Sequence, residues 1–306
     1  MYDLVIVGGG PGGVAAGVYG ARKKIKTLLI TEEWGGQSLV SADIQNWIGT
    51  KSVSGFDFAK MLEDHLRAQE DIEIIEGDRV SAVEKLQSGF KVKTQGGKIF
   101  ETKYLLITTG SRRRKLSVPG EKELDGRGVA YCSTCDAPIF KDRAVAVVGG
   151  GNAGLEAVLD LLPYASKIYL MEYTDVLRGD PITQEIIKKK DGRVTIMTMV
   201  ETKEIVGDKF VTGLKYKDRK TGEEKTLDLQ GVFVEIGAIP NADFLAGMVE
   251  LNKFGEIVVD HKTQKTSAPG IWAVGDVTDV LYKQNNISAG DAVKAVLNIY
   301  EEINKE

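Results

Sequence analysis

The chain opens with a short unbroken apolar run, Leu4-Val5-Ile6-Val7, which stops at the glycines of Gly8 to Gly13, with Pro11 among them. Small residues, including Ala15, Ala16 and Ala21, come next. A run of this length without polar alternation fits a strand buried on both faces, and the residues after the glycines fit a closely packed helix. Thr27 to Ile30 reads as the next strand and ends close to Glu32. From Phe56 to Glu70 the apolar residues Phe58, Met61, Leu62 and Leu66 recur at helical spacing. Between Asp71 and Lys103 the runs shorten to Ile72-Glu73-Ile74-Ile75, Ser81 to Leu86 and Phe90 to Thr94, with Gly96-Gly97 as a turn, which predicts strands and hairpins. Tyr104 to Ile107 is a further buried strand running into Thr108-Thr109-Gly110.

The opening pattern then repeats. Ala144 to Val148 is a strand, Gly149-Gly150-Gly151-Asn152-Ala153-Gly154 a glycine turn, Leu155 to Leu162 its helix, and Lys167 to Met171 a strand ending at Glu172. Val194 to Ile205, Val211 to Tyr216 and Gly231 to Ile236 read as strands, with charged hairpin tips such as Lys217 to Gly222 facing solvent. Gly270-Ile271-Trp272-Ala273-Val274-Gly275-Asp276 is again a strand meeting a glycine turn, and Ser288 to Tyr300 a final helix. Composition breaks at the basic run Arg112-Arg113-Arg114-Lys115 with Pro119-Gly120, and again at Gly237 to Asn241. The basic run reads either as a solvated connector or as a landing strip for an acidic partner. The expected fold is therefore α/β, with two doubly wound dinucleotide-binding (Rossmann-like) domains, each carrying β-hairpin additions. The second is inserted in the first: residues 1–113 with 244–306 form one domain, and 114–243 the other.

Both glycine turns follow the fingerprint G-x-G-x-x-G. Its glycines allow a tight turn, the approach of a pyrophosphate to backbone N–H groups, and close packing of helix on strand. Glu32 and Glu172 stand where an acid accepts hydrogen bonds from the ribose hydroxyls of an adenosine. An acid at Glu172 would face the 2′-phosphate of NADPH. Two unit charges ~4 Å apart repel by about 1 kcal/mol in water and about 4 at an effective dielectric of 20, so NADH is the favoured partner. In the first half, Gln37 and Asn46 are amides able to donate and accept toward a heteroaromatic ring, and are otherwise ordinary loop residues. Asp276 is suited to the ribityl and pyrophosphate part of a flavin, and the N-terminal end of the last helix to negative charge on its ring.

The only cysteines among the 306 residues lie in Tyr131-Cys132-Ser133-Thr134-Cys135-Asp136-Ala137-Pro138. Two thiols at this spacing close a small disulfide, and the thiolate of one is favoured by its neighbour, below the free pKa of about 8.5. Asp136 could relay protons as the bridge opens and closes. A zinc site lacks ligands, since His65 and His261 are the only histidines and lie far off in sequence, so no metal is expected. A purely structural bridge stays open as an alternative, although so small a loop constrains the unfolded chain little. The chain is 42% apolar and 27% charged, a globular composition. A net charge of −4 argues against nucleic acid or an anionic membrane as the main partner. There is no run of about 18 apolar residues. The first strand starts at once and leaves no room for a signal peptide, so a soluble, intracellular, cytoplasmic protein is expected, where a thiol pair is more often catalytic than structural.

Two fingerprints, C-x-x-C-D ahead of the second, and the closing G-x-W-A-V-G-D resemble the low-molecular-weight thioredoxin reductases over essentially the whole chain. Tyr131 to Lys141 and Tyr282-Lys283-Gln284 look closest to the flavoprotein core of alkyl hydroperoxide reductase, without its N-terminal thioredoxin-like region. The resemblance implies FAD in the domain built from both chain ends, NADH or NADPH in the insert, and a homodimer. Matched position by position, the implied FAD ligands are Gly8, Gly10, Pro11, Gly12, Gly13, Glu32, Gly36, Gln37, Asn46, Thr109, Gly110, Gly275, Asp276, Lys283, Gln284 and Asn285. Those for NAD(P)H are Gly149, Gly151, Asn152, Ala153, Gly154, Glu156, Glu172, Arg178 and Gly237. It further implies that Cys135 takes electrons from the flavin. Cys132 then attacks the disulfide of a thioredoxin- or glutaredoxin-like protein supplied in trans, with Asp136 as acid and base. Hinges for domain rotation are expected around Ser111 to Val118 and Gly237 to Leu245.

Three positions depart from the family. The basic His-Arg-Arg of NADPH-using members is replaced by Glu172-Tyr173-Thr174, with Arg178 kept; Ala137 replaces a glycine; Asn285-Asn286 replaces a small or apolar pair. A peroxide-forming NADH oxidase, a ferredoxin- or flavodoxin-driven thioredoxin reductase and a non-catalytic flavin redox sensor remain as alternatives.

Overall fold

The computed structural model describes residues 1–306 except Ala42, Asp191 and Glu306. It divides into two compact units, Met1–Arg112 with Ile239–Glu306, and Arg113–Ala238.

In the first unit β1 (Tyr2–Gly9), α1 (Pro11–Arg22), β2 (Thr27–Trp34), α2 (Gly55–Arg67) and β3 (Ile72–Glu76) follow one another, and the three strands run parallel. Ser54 caps α2 by accepting from the Asp57 N–H at 3.1 Å, and Phe58, Leu62 and Leu66 turn its apolar face inward. β4 (Val80–Lys85) and β5 (Phe90–Thr94) form an antiparallel hairpin, and β5 lies against the start of β6 (Ile99–Ile107). The later half of β6 pairs in parallel with β1, Val7 opposite Ile107. Because the central strands are covered on both faces, alternate residues enter different cores. Leu4, Ile6 and Leu29 pack with the helices, whereas Val5, Val7, Leu28 and Ile30 pack with the hairpin layer.

The second unit, entered through the short strand β7 (Ser111–Arg113), repeats this plan. β8 (Val129–Ala130) and the one-turn helix α3 (Ser133–Asp136) lead to β9 (Ala144–Val148), α4 (Asn152–Leu161), β10 (Lys167–Glu172), α5 (Pro181–Lys188) and β11 (Val194–Thr198). An antiparallel layer of β12 (Val200–Gly207), β13 (Val211–Asp218) and β14 (Glu224–Asp228) precedes β15 (Gly231–Val234). The parallel sheet has the order β11-β10-β9-β15-β8. Val145 and Val147 face the α4 side, and Ala146 and Val148 face the antiparallel layer. The run from Val194 to Ile205 is two strands, not one. Met199 between them has φ +59° and turns the chain out of the parallel sheet into the antiparallel layer.

The chain returns to the first unit through β16 (Ala238–Pro240), then β17 (Val259–Asp260), β18 (Lys265–Thr266) and β19 (Ile271–Ala273), which extends the sheet beyond β6. α6 (Asn285–Ile303) closes the unit and packs on α1, with Ala292, Ala295, Val296 and Ile299 fully buried. The approach is close enough that a Cβ on Gly12 would lie 2.6 Å from Ser288 Oγ. This helix starts three residues before the expected Ser288. Its first-turn amides are fixed by loop partners: Asn285 donates to Ser38 Oγ at 2.8 Å, and Asn286 to the Asn46 carbonyl at 2.7 Å. Among the described residues, no helix is long and apolar enough to cross a membrane.

Candidate active site

The two glycine turns have the same backbone. Gly8 and Gly149 sit at φ +120° and +124°, and the residues that open α1 and α4, Gly10 and Gly151, have φ −78° and −83° with ψ −175° in both. A Cβ on Gly13 would lie 1.9 Å from the Gly8 carbonyl oxygen, and one on Gly154 1.8 Å from that of Gly149, so each third glycine serves helix-on-strand packing. A Cβ on Gly10 or Gly151 would meet nothing within 4 Å. Each turn therefore keeps open the side on which a pyrophosphate approaches backbone N–H groups, and both fit a dinucleotide.

In the first unit, loops from distant parts of the chain meet at the end of the sheet where α1 begins. Asn46 Nδ2 donates to Gln284 Oε1 at 3.2 Å, Gln37 Nε2 lies 3.3 Å from Ser111 Oγ and 3.5 Å from Asp276 Oδ2, and Ser38 meets Asn285. Asp276 sits in a short turn with Gly275, and Gly36 in one with Gln37. Thr109 and Gly110 are held by Asn241, whose backbone N–H donates to the Gly110 carbonyl at 3.0 Å and whose side chain donates to that of Thr109 at 2.9 Å. Lys283 is turned elsewhere, bonded to the Thr278 carbonyl and paired with Glu256 at 3.0 Å. Glu32 is exposed at the end of β2, with Arg79 4.0 Å away.

Glu172, in the second unit, is buried and committed. Its Oε2 accepts from the Gly150 N–H at 2.7 Å, and its Oε1 from the N–H and Oγ1 of Thr174, each at 2.8 Å. Burial alone would raise its pKa. The bonds from Thr174 and Gly150, with the Arg178 charge nearby, outweigh burial and hold the carboxyl below its ordinary value. Asn152 Oδ1 accepts from the Asp180 N–H at 2.7 Å, while Ala153 and Glu156 are exposed on α4. Gly237, at φ +100°, accepts at its carbonyl from the Arg114 N–H at 3.0 Å. Arg219 is exposed on the solvent-facing hairpin tip and lies against Tyr173: its guanidinium is 3.9 Å from the Tyr173 ring centroid and donates to the Tyr173 carbonyl at 2.8 Å.

Cys132 and Cys135 form a disulfide across the start of α3. The Cys132 carbonyl accepts from the Asp136 N–H at 3.0 Å and the Cys135 N–H at 3.3 Å, which closes the turn. Asp136 is half-buried, and burial, with the Asp125 charge adding to it, pushes its carboxyl up to about 6. A buried acid, Glu121, accepts from Tyr131 at 2.9 Å and from the N–H groups of Leu116 and Ser117 at 2.9 and 2.7 Å. Burial and Glu121 together raise the Tyr131 phenol. The basic run is largely exposed and also makes surface contacts. Arg112 reaches Asn241 at 2.8 Å, and Lys115 pairs with Asp125 at 3.0 Å and lies over the Tyr131 ring.

Two acids beside the cysteine turn escape a reading of sequence. Asp160 on α4 bonds the hydroxyls of Ser133 and Thr134. Glu235, directly after β15, is pushed up to about 7 by burial, against the Arg113 charge, with Asp160 and Glu156 adding to the rise. Glu235 had one visible signal, an acid inside an apolar strand run; Asp160 had none. Among the described residues, no group of three or more histidines, cysteines or acids is arranged to hold a metal ion.

Two dinucleotide-type units, one of which carries a redox-type disulfide, define the class of flavin- and nicotinamide-linked disulfide oxidoreductases. The chain belongs to the pyridine nucleotide-disulphide oxidoreductase family, which it matches over residues 2–295. It is 42% identical over 300 residues to the "NADH dehydrogenase" of Bacillus subtilis (strain 168), covering 98% of this chain and 58% of that protein. It is also 42% identical over 302 residues to a Staphylococcus aureus (strain MRSA252) alkyl hydroperoxide reductase component, covering 99% of this chain and 59% of that protein. The chain thus spans less than two thirds of the length of these relatives. Among solved structures, the thioredoxin reductase of Streptococcus pyogenes MGAS5005 superposes with a TM-score of 0.91 at 31% identity, over 100% of this chain and 99% of that one. Two Rossmann-like domains are thus the fold, and FAD and a nicotinamide dinucleotide are the cofactors that membership implies.

Proposed function

We propose that this chain passes electrons from NADH, in preference to NADPH, by way of FAD to the Cys132–Cys135 pair and then to the disulfide of a thioredoxin- or glutaredoxin-like protein. The observation that carries the reading is the disulfide itself, closed in a tight turn, with a half-buried acid, Asp136, next in the chain. The likeness to thioredoxin reductases supports the acceptor class, and the name of the Bacillus subtilis relative supports NADH.

FAD belongs to the unit made of both chain ends, on Gly8 to Gly13, Glu32, Gln37, Asn46, Asp276 and Gln284. Bound there, it supplies a two-electron carrier between nicotinamide and disulfide. The nicotinamide dinucleotide belongs to residues 113–238, with its pyrophosphate on Gly149 to Gly154 and its adenosine ribose at Glu172. The reduced pair works by exchange. The Cys132 thiolate attacks one sulfur of the acceptor disulfide, and the departing acceptor thiolate takes a proton from Asp136. Cys135 then displaces the second acceptor thiol and closes the Cys132–Cys135 bridge. The net change is NADH, a proton and an acceptor disulfide giving NAD⁺ and an acceptor dithiol. The working form is a cytoplasmic homodimer.

Anaerobic stopped-flow mixing of the FAD-loaded protein with NADH and, separately, with NADPH tests the donor. Fast bleaching by NADH and slow bleaching by NADPH is the expected result, and bleaching by neither overturns the nicotinamide assignment. In steady state, Cys132→Ser abolishes acceptor reduction and leaves NADH-driven bleaching in place. Survival of acceptor turnover in that variant would instead favour direct transfer from flavin.

A further inference from the structure

Both residues between the cysteines are held by acids from outside the motif. Asp160 Oδ2 accepts from Ser133 Oγ at 2.8 Å and from Thr134 Oγ1 at 3.0 Å. Ser133 is buried, and its backbone N–H donates to Glu235 as well. Hydrogen bonds to a carboxylate are stronger than those between neutral groups, and an acid that accepts two hydroxyls at one oxygen fixes them relative to each other. Asp160 lies on α4, the helix whose first residues form the glycine turn of the second unit. The redox turn is thus fastened to the most firmly packed helix of its own unit, where Leu155, Ala157, Val158 and Leu161 are all buried.

We propose that Asp160 is a positioning residue for the dithiol–disulfide chemistry: through Ser133 and Thr134 it holds the turn so that the sulfurs of Cys132 and Cys135 stay within bonding reach of each other. A held turn raises the effective concentration of one thiol at the other, so the clamp favours the closed bridge and speeds its re-formation after each exchange. Without it, Ser133 and Thr134 turn to solvent, the turn samples open forms, and the dithiol gains.

The inference rests on the reading of Cys132 and Cys135 as the working pair, and equilibration with glutathione probes it without donor or acceptor. Two glutathione thiols reduce the bridge, giving the dithiol and one glutathione disulfide, with the two thiol protons passing to the two cysteines. In anaerobic glutathione buffers, with free thiols trapped by alkylation and counted by mass, Asp160→Ala shifts the equilibrium about tenfold toward the dithiol, roughly 30 mV. Asp160→Asn keeps an acceptor oxygen and stays within about threefold of the wild type. The effect of Asp160→Ala disappears in a Ser133→Ala/Thr134→Val background, because the partners are already gone.

An Asp160→Ala equilibrium within about twofold of the wild type overturns the proposal. So does an Asp160→Asn variant as altered as Asp160→Ala, or an effect that persists undiminished without the two hydroxyls. Should Asp160→Ala fail to fold, Ser133→Ala/Thr134→Val carries the test alone: a tenfold shift supports the clamp and an unchanged equilibrium removes it. If the wild type equilibrates normally but never reduces an acceptor, the proposed function fails while the clamp stands.

Discussion

The two units share a backbone plan and use the acid at the end of the second strand in opposite ways. Glu32 is exposed, with Arg79 4.0 Å away, whereas Glu172 is buried and spends both oxygens on N–H and hydroxyl groups of its own loops. A carboxylate fixed in advance has no freedom left to lose when a ribose arrives, so its charge stands at a defined point and can discriminate between ligands. An exposed carboxylate on a flexible side chain can swing aside or be screened by salt, and discriminates weakly. On the proposed assignment, the same fingerprint thus serves one site suited to keeping a ligand and one suited to choosing between ligands.

The largest effects should come from breaking what the units share. Gly13→Ala and Gly154→Ala each drive a Cβ to within 2 Å of a backbone carbonyl. Overpacking against main chain that cannot yield costs about 3 kcal/mol, which chemical denaturation reads as a lower midpoint. Gly151→Ala, at a position with room for a methyl and an allowed backbone, leaves the midpoint unchanged and weakens dinucleotide binding in a calorimetric titration. Equal stability losses at Gly13, Gly154 and Gly151 would break the division of labour between packing and binding glycines.

A smaller effect separates the unit that carries the disulfide from the one that does not. With its pKa pushed up to about 6, Asp136 is mostly protonated below that pH and able to donate to a departing thiolate. Its protonated fraction falls about tenfold for each pH unit above 6, and acceptor reduction through this acid falls with it. Asp136→Asn flattens that limb of the pH profile and lowers acceptor turnover by about a hundredfold, while NADH-driven bleaching keeps its rate. The stability sign runs the same way. A carboxyl raised above its ordinary value is more favourable to the fold at low pH, and that contribution is lost as pH rises through about 6. Denaturation midpoints of the wild type and Asp136→Asn at pH 5 and pH 8 check it, the gap changing between the two.

Most of the scaffold is visible in the sequence because parallel strands covered on both faces read as unbroken apolar runs. Leu4 to Val7 and Ala144 to Val148 announce themselves, and the glycines that follow mark the turns. The break at Met199 is hidden, because an apolar residue at φ +59° looks like any other member of an alternating run. The early start of α6 is hidden for a related reason: Asn285 and Asn286 are poor helix formers in isolation, and their loop partners lie about 240 residues away. Asp160 is invisible for the same cause. Nothing local distinguishes it from any acid late in an amphipathic helix, and its role exists only once the chain has brought it to Ser133 and Thr134.

The finest test exchanges charge for amide at the two acids. Glu172→Gln keeps an oxygen for one loop N–H and removes the negative charge that a 2′-phosphate would face. Relief of a repulsion of about 1 to 4 kcal/mol corresponds to at least a several-fold gain for the phosphorylated ligand. Titration with ADP-ribose and with its 2′-phosphate reads this directly, without turnover, and the affinity ratio should move by about tenfold toward the phosphate. Glu32→Gln, which removes an exposed charge on the other unit, should leave that ratio where it was and change FAD retention by less than about threefold. An unchanged ratio in Glu172→Gln would mean that the arginines near the end of β10, Arg178 and the exposed Arg219 beside Tyr173, set the balance rather than the acid. Selection by the second unit would then rest on its basic residues, not on how it holds its acid.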